Sequence, residues 1–82
     1  MRTVEIWLPS TAQVEKFAST LIPLEGDFEL IADNSILDAR SFMGIFSFDL
    51  TKPIKLKIYV DSEENLRAIS PFLTKEGSNH EK

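Results

Sequence analysis

Ten residues near the middle of this chain are the starting point for its topology, and they read Ala39-Arg40-Ser41-Phe42-Met43-Gly44-Ile45-Phe46-Ser47-Phe48. The segment is too apolar for a surface loop, and its apolar residues lack the strict alternation of a strand. We therefore predict a short helix here. The segment also separates two regions that do have strand patterns, so its neighbours on either side decide the architecture.

A β-hairpin is predicted on the N-terminal side of this segment. Apolar residues occupy alternate positions in 28–32, and the next two residues, Asp33 and Asn34, tolerate the positive φ angles of a two-residue turn. A short strand over Ser35–Asp38 is expected to pair antiparallel with the first. On the C-terminal side, apolar residues again alternate over 54–60, which predicts another strand.

The N-terminal part of the chain predicts a strand followed by a helix. Alternation over Thr3–Leu8 indicates the strand. Ser10 and Gln13 then have the spacing of a capping box, and apolar residues recur with helical period after them. Because Pro23 forbids continuation, the helix is predicted to span about Thr11–Leu21.

A last helix is predicted near the C-terminus. Asp61 and Ser62 are both suitable caps, and Pro71 is expected to distort or end the last turn. The order is thus β-α-β-β-α-β-α, an α+β open-faced β-sandwich with helices on one face of an antiparallel four-stranded sheet. A chain of 82 residues has one core, so 1–74 is predicted to be a single domain and 75–82, which holds no apolar residue, a mobile tail.

The composition argues against several functions. The chain has no cysteine and a single histidine, His80, so we expect no metal site and no cofactor. A net charge of −4 argues against nucleic acid as a partner, because phosphates are bound by an excess of clustered Lys and Arg. No apolar run approaches the ~20 residues needed to cross a membrane, and Glu5 lies where a signal peptide would be apolar. We expect a cytoplasmic protein.

The central segment resembles the HPr family, the small phosphocarrier proteins of the bacterial sugar phosphotransferase system. In that family a regulatory serine opens the short middle helix in a pattern close to K-S-I-M-G-V-M-S-L, which Arg40–Phe48 matches without a gap. The resemblance extends to about Leu73 and, more loosely, back to Val4. It implies the strand order 1-4-2-3 and identifies Ser41 as a regulatory phosphorylation site, where Arg40 would help to accommodate a phosphate. From the residues alone, Ser41 is interpreted first as the cap of the helix, with phosphorylation as the alternative.

The phosphoryl-accepting segment of the family, a G-x-H-x-R-P turn, is absent. The matching positions read Leu8-Pro9-Ser10-Thr11-Ala12-Gln13-Val14. A phosphohistidine passes its phosphoryl group onward, whereas a serine phosphoester does not. Ser10 and Thr11 are therefore interpreted as a helix cap with weak affinity for anions. This favours a protein-binding or regulatory module that is not phosphorylated on the first helix. The alternative is a genuine phosphocarrier that accepts phosphate at an atypical residue.

The short middle helix has more apolar surface than one packing contact can cover. Its apolar side chains span an arc of ~220°. In the resembled family, the positions of Ile45 and Phe48 turn inward, and those of Phe42, Met43 and Phe46 form the patch that docks enzyme I and regulatory proteins. Protein partners of this system are therefore expected. The alternative is that these side chains fill an enlarged core.

Strand alternation predicts a second exposed cluster on the open face of the sheet. Trp7, Ile31, Ile36 and Tyr59 are expected there and, in the family's strand order, form a stripe across all four strands. Such a stripe is typical of self-association, as a homodimer or through another contact of the sheet face. Catalysis is disfavoured, because no two residues have the spacing of a nucleophile and its base.

Overall fold

The computed structural model describes residues 1–74, and the predicted mobile tail, 75–82, lies outside the described residues. The elements follow the predicted order, with an added 3₁₀ turn after the last helix. They are β1 (Arg2–Ile6), α1 (Thr11–Leu21), β2 (Phe28–Ala32), β3 (Ser35–Asp38), α2 (Phe42–Ile45), β4 (Ile54–Ile58), α3 (Glu63–Ile69) and the 3₁₀ turn Ser70–Phe72.

The four strands form one antiparallel sheet in the order β1-β4-β2-β3. The α+β class, the four-stranded antiparallel sheet and this strand order are confirmed. Alternate strand residues and the apolar stripes of the helices meet in one hydrophobic core. Its largest fully buried apolar side chains are Ile6, Leu8, Val14, Phe17, Leu21, Phe28, Leu30, Ile45, Leu56, Ile58 and Ile69.

Helix α1 has the predicted limits because both ends are specified locally. The Oγ of Ser10 accepts a hydrogen bond from the backbone N–H of Gln13 at 3.2 Å, which satisfies one free amide of the first turn. Pro23 follows two residues after the end at Leu21. The predicted hairpin is also confirmed: Asp33 and Asn34 have φ angles of 50° and 68°, as a tight two-residue turn requires.

Two predicted strands are longer than the strands observed. The sequence predicts the first over Thr3–Leu8, but β1 spans Arg2–Ile6. Just after it, the N–H of Trp7 donates to the carbonyl of Phe72 at 3.0 Å, beside an antiparallel bridge between Ile6 and Leu73. The strand predicted over 54–60 ends at Ile58. Beyond it, the Val60 side chain lies against Gly26, which has a φ of +91°. A Cβ at this glycine would come within 2.5 Å of Val60 Cγ2, so only glycine fits the turn.

Helix α3 begins after Ser62, whose Oγ accepts from the N–H of Asn65 at 3.2 Å, so Ser62 is the cap and Asp61 is not. Pro71 lies in the 3₁₀ turn that follows, as expected of a proline that ends a helix. Asn65 is buried, and its Nδ2 donates to the carbonyls of Glu25 and Val60 at 2.9 and 2.8 Å. One amide therefore joins two loops to α3.

The predicted helix over 39–48 is shorter in the structure, since α2 contains only Phe42–Ile45. After it, the N–H groups of Phe46, Ser47 and Phe48 each bond the carbonyl three residues earlier, so the chain continues in tight turns. Gly44 lets α2 approach β3, because a Cβ there would lie 2.7 Å from Leu37 Cδ1. Within residues 1–74, no helix is long and apolar enough to span a membrane.

Candidate functional site

Helix α2 and the turns after it divide their apolar side chains between the core and solvent. Ile45 is fully buried, and Phe48 is half-buried against the core. Met43 is 76% exposed and Phe46 40% exposed. Phe42 is half-buried and packs edge-to-face on Phe46, with the ring centroids 5.3 Å apart. The structure thus brings Phe42, Met43 and Phe46 to one end of the helical layer.

The exposed apolar surface continues onto α1. Ile22, the C-cap residue directly after α1, is 67% exposed and shares a concavity with Phe42. We call Ile22, Phe42, Met43 and Phe46 the α1–α2 surface. Sequence reasoning missed Ile22, because it precedes a proline and reads as the end of a helix, and only the approach of α2 places it beside Phe42.

The concavity between α1 and α2 has a volume of ≈ 260 Å³. Ala18, buried at the contact between the helices, belongs to its lining. The other lining residues are Glu15, Ser19, Ile22, Arg40 and Phe42. A recess of this size next to exposed aromatic and Met side chains is suited to a side chain from a protein partner.

Arg40 holds the two helices in position. Its Nε donates to the carbonyl of Leu21 at 3.0 Å, and its Nη2 donates to the carbonyls of Leu24 and Gly26 at 2.7 and 3.0 Å. The guanidinium also lies 5.2 Å from the ring centroid of Phe28. It therefore compensates the negative end of α1 and ties the following loop to the start of α2.

The surroundings of Ser41 differ from the expectation. Ser41 is exposed at the N-cap position of α2, but its side chain makes no capping hydrogen bond, so the predicted capping role is wrong. The guanidinium of the neighbouring Arg40 is directed to the carbonyls after α1, and phosphorylation of Ser41 stays a prediction. The carboxylate of Asp38 lies nearby and accepts from the N–H of Arg40 at 2.9 Å.

Ser10 and Thr11 are exposed at the beginning of α1. The hydroxyl of Ser10 is occupied as the helix cap. Within residues 1–74, no three His, Cys, Asp or Glu side chains lie close enough together to hold a metal ion.

The predicted stripe across the open face is interrupted, and the register of the strands is the reason. Ile31 pairs with Ile36, but its partner on the other side is Lys55, which in turn pairs with Glu5. The two isoleucines therefore form a local pair, and charged residues separate them from β1.

Trp7 and Tyr59 lie at opposite ends of the sheet. Trp7 follows the last residue of β1 and Tyr59 the last residue of β4, and these two strands are antiparallel. Tyr59 is further engaged, since its hydroxyl donates to Glu29 at 2.8 Å and Lys57 Nζ lies 5.1 Å from its ring centroid. The four residues of the predicted stripe therefore do not meet.

A second concavity, of ≈ 280 Å³, opens beside Ile31 and Lys55. Asp49 is part of its lining. The hydroxyl and the backbone N–H of Thr51 both donate to this carboxylate, and these hydrogen bonds lower the pKa of Asp49. Both acidic and basic side chains surround the opening, so it has no single charge preference.

Comparison with known proteins supports the fold. No protein-family model matches the sequence, and no curated protein matches it. A solved structure, the crystal structure of HPr-C-His from Thermoanaerobacter tengcongensis, is similar with a TM-score of 0.72 and 24% sequence identity. The similarity covers 87% of this chain and 89% of that chain. On this likeness, together with the strand order and the short helix α2, the chain has the fold of HPr.

Proposed function

We propose that this protein is an HPr-like binding module, related to the sugar phosphotransferase system, that acts through protein contact at the α1–α2 surface. The observation that carries the proposal is the exposure of Met43 and Phe46 beside Phe42 on a helix whose other side is anchored by fully buried Ile45. Met and aromatic side chains are enriched at the centres of protein interfaces, and a few such residues supply most of the binding energy.

Phosphoryl transfer through the first helix has less support. A phosphocarrier needs an acceptor that both takes and releases the phosphoryl group. The beginning of α1 offers Ser10, which caps the helix, and Thr11. A serine or threonine ester would hold the phosphate instead of passing it on. Binding without transfer is therefore the function that these residues favour.

Ser41 is the regulatory element of this proposal. It is exposed and directly precedes Phe42 and Met43. A phosphate would add about two negative charges beside the apolar side chains that a partner covers. Because the adjacent cation, Arg40, is already bonded to three carbonyls, this charge would remain largely uncompensated and would weaken docking.

Two measurements with enzyme I test the proposal. First, intact-mass spectrometry after incubation with enzyme I and phosphoenolpyruvate should show no phosphoryl adduct; an acid-labile adduct would support the phosphocarrier alternative. Second, calorimetric titration of enzyme I or a regulatory protein of the system should show binding that Met43→Ser weakens at least about tenfold. Ile36→Ser on the open face is the matched control and should bind like the wild type. Equal affinity of all three proteins would contradict the proposal.

A further inference from the structure

The concavity of ≈ 260 Å³ between α1 and α2, called the groove below, is lined by charged as well as apolar side chains. Glu15, Ser19 and Ile22 line it at positions i, i+4 and i+7 of the chain, so they form one stripe along α1. The carboxylate is thus at one end of the stripe and the exposed isoleucine at the other, ~10 Å apart along the helix axis. Phe42 forms the opposite wall near Ile22.

The two charged residues of the groove are in different states. Arg40 donates three hydrogen bonds to carbonyl oxygens, and these oxygens offset its positive charge. Among residues 1–74, Glu15 has neither a hydrogen-bonded nor an ionic partner for its carboxylate. The uncompensated charge along the groove is therefore negative.

The backbone of the groove restricts how a partner can bind. Helix α1 bonds its own amides and carbonyls, and Arg40 occupies the carbonyls just after it. On the α1 side of the groove, an extended peptide would thus find no free backbone groups to pair with. An amphipathic helix needs only side-chain packing there, and it therefore fits this side of the groove.

We infer that the groove binds an amphipathic helix that carries an apolar anchor and, about two turns from it, a lysine or arginine. The anchor packs between Ile22 and Phe42, and the cation pairs with Glu15. This inference rests on the proposed function, because it specifies the chemistry of the partner at the same surface.

A charge-reversal selection tests the inference. The probe is a display library of helical peptides with a fixed apolar face and randomised charged positions. Against the wild type, we expect enrichment of Lys or Arg about two turns from an apolar anchor. Against Glu15→Lys, we expect Asp or Glu at that position. Glu64→Lys makes the same change of charge at an exposed site on α3 and should select the same peptides as the wild type.

Affinities of one selected peptide complete the test. Glu15→Lys should weaken its binding about fivefold, the effect of one partly exposed ion pair, and added salt should reduce this difference. Peptides that depend on Met43 but show no charge preference, or none that reverses with Glu15→Lys, would overturn the inference and leave the proposed function standing. If no peptide is enriched, or if Met43→Ser leaves binding unchanged, the proposed function itself fails and the inference fails with it.

Discussion

The helical side and the open side of the sheet both expose apolar side chains, but only on the helical side do these side chains form one continuous surface. On the α1–α2 surface, Phe42 packs on Phe46 and shares a recess with Ile22. On the open side, Ile31 and Ile36 form a pair that charged neighbours separate from the rest. Exposure is similar, since Ile22 is 67% and Ile36 65% exposed. Contiguity, and not exposure of single residues, therefore distinguishes a docking surface.

The difference has a simple physical origin. In the sheet, the register places Glu5 opposite Lys55 and Glu29 opposite Lys57, and each such pair of opposite charges favours its own strand pairing. These pairs fill the centre of the open face. In the helical layer, α2 packs one side on the core through Ile45, so apolar residues on its outer side remain exposed together.

The largest effect is expected within α2 itself. Ile45→Ala removes a fully buried side chain from the core and should lower the free energy of unfolding by about 2–4 kcal/mol. Phe46→Ser, one residue later, loses an exposed side chain and its contact with Phe42, and should cost about 1 kcal/mol. Urea denaturation of both variants measures the difference. Equal destabilisation would mean that Phe46 belongs to the core and that the helical side is no docking surface.

Removal of the guanidinium that supports the α1–α2 surface should have the next largest effect. Arg40→Met keeps most of the apolar stem but leaves three carbonyls without their donor, at a cost of about 2 kcal/mol. Arg67→Met is the control, because within residues 1–74 the Arg67 side chain makes an exposed ion pair with Glu63 and no other, and its loss should cost less than about 0.5 kcal/mol. Denaturation in guanidinium chloride compares the free energies of unfolding of the two variants. Similar stabilities of the two variants would show that Arg40 does not hold the helices together.

Sedimentation tests the open side. The homodimer remains a prediction. Because the register pairs Ile31 with Ile36, these two residues are now the expected centre of its interface. At micromolar concentration, Ile36→Ser should therefore reduce any dimeric mass to that of a monomer, whereas Trp7→Ser should leave it unchanged. A wild-type protein that sediments only as a monomer refutes the dimer. A dimer that depends on Trp7 would show that the contact reaches across all four strands despite the intervening charges.

The smallest effect is expected at Asp49, beside the open-side concavity. Hydrogen bonds from Thr51 lower the pKa of Asp49 from its ordinary 3.8, so they stabilise the folded protein above about pH 4. This stabilisation is lost as the pH falls through the lowered pKa. Thr51→Val should raise the pKa of Asp49 in a carbon-detected NMR titration, and Thr51→Ser, which keeps the hydroxyl, should not. An unchanged pKa in Thr51→Val would contradict the role of this hydroxyl.

Local signals allowed much of the fold to be predicted. Ser10 and Pro23 lie next to the ends of α1, and Asp33-Asn34 lies in the hairpin turn, so each feature is specified by residues close to it. The length of α2 was not predictable from its apolar content. The close approach of Gly44 to Leu37 on β3 is likewise a tertiary contact that the sequence does not reveal.

Long-range contacts account for what the sequence could not predict. The N–H of Trp7 bonds a carbonyl of the distant residue Phe72, and the carbonyl partners of Arg40 lie 14 to 19 positions away in the chain. Asn65 reaches a carbonyl 40 positions away. An arginine and an asparagine in these positions look like ordinary surface residues. The family resemblance places Phe42, Met43 and Phe46 on the outer side, and in the structure Met43 and Phe46 are exposed while Phe42 is half-buried against the core. Ile22 and Glu15 join them only through the packing of α1 on α2.

The strand order also has a consequence for how the protein is made. Strand β4 lies between β1 and β2, yet it is the last strand in the sequence, and Val4 of β1 pairs with Leu56. The β2–β3 hairpin can form as soon as its own residues are available, but β1 waits for a partner synthesised roughly fifty residues later, a separation that slows folding. Until then, the amides and carbonyls of β1 are unpaired and open to pairing with another chain. The N-terminal strand is therefore the part of a growing chain that most needs protection.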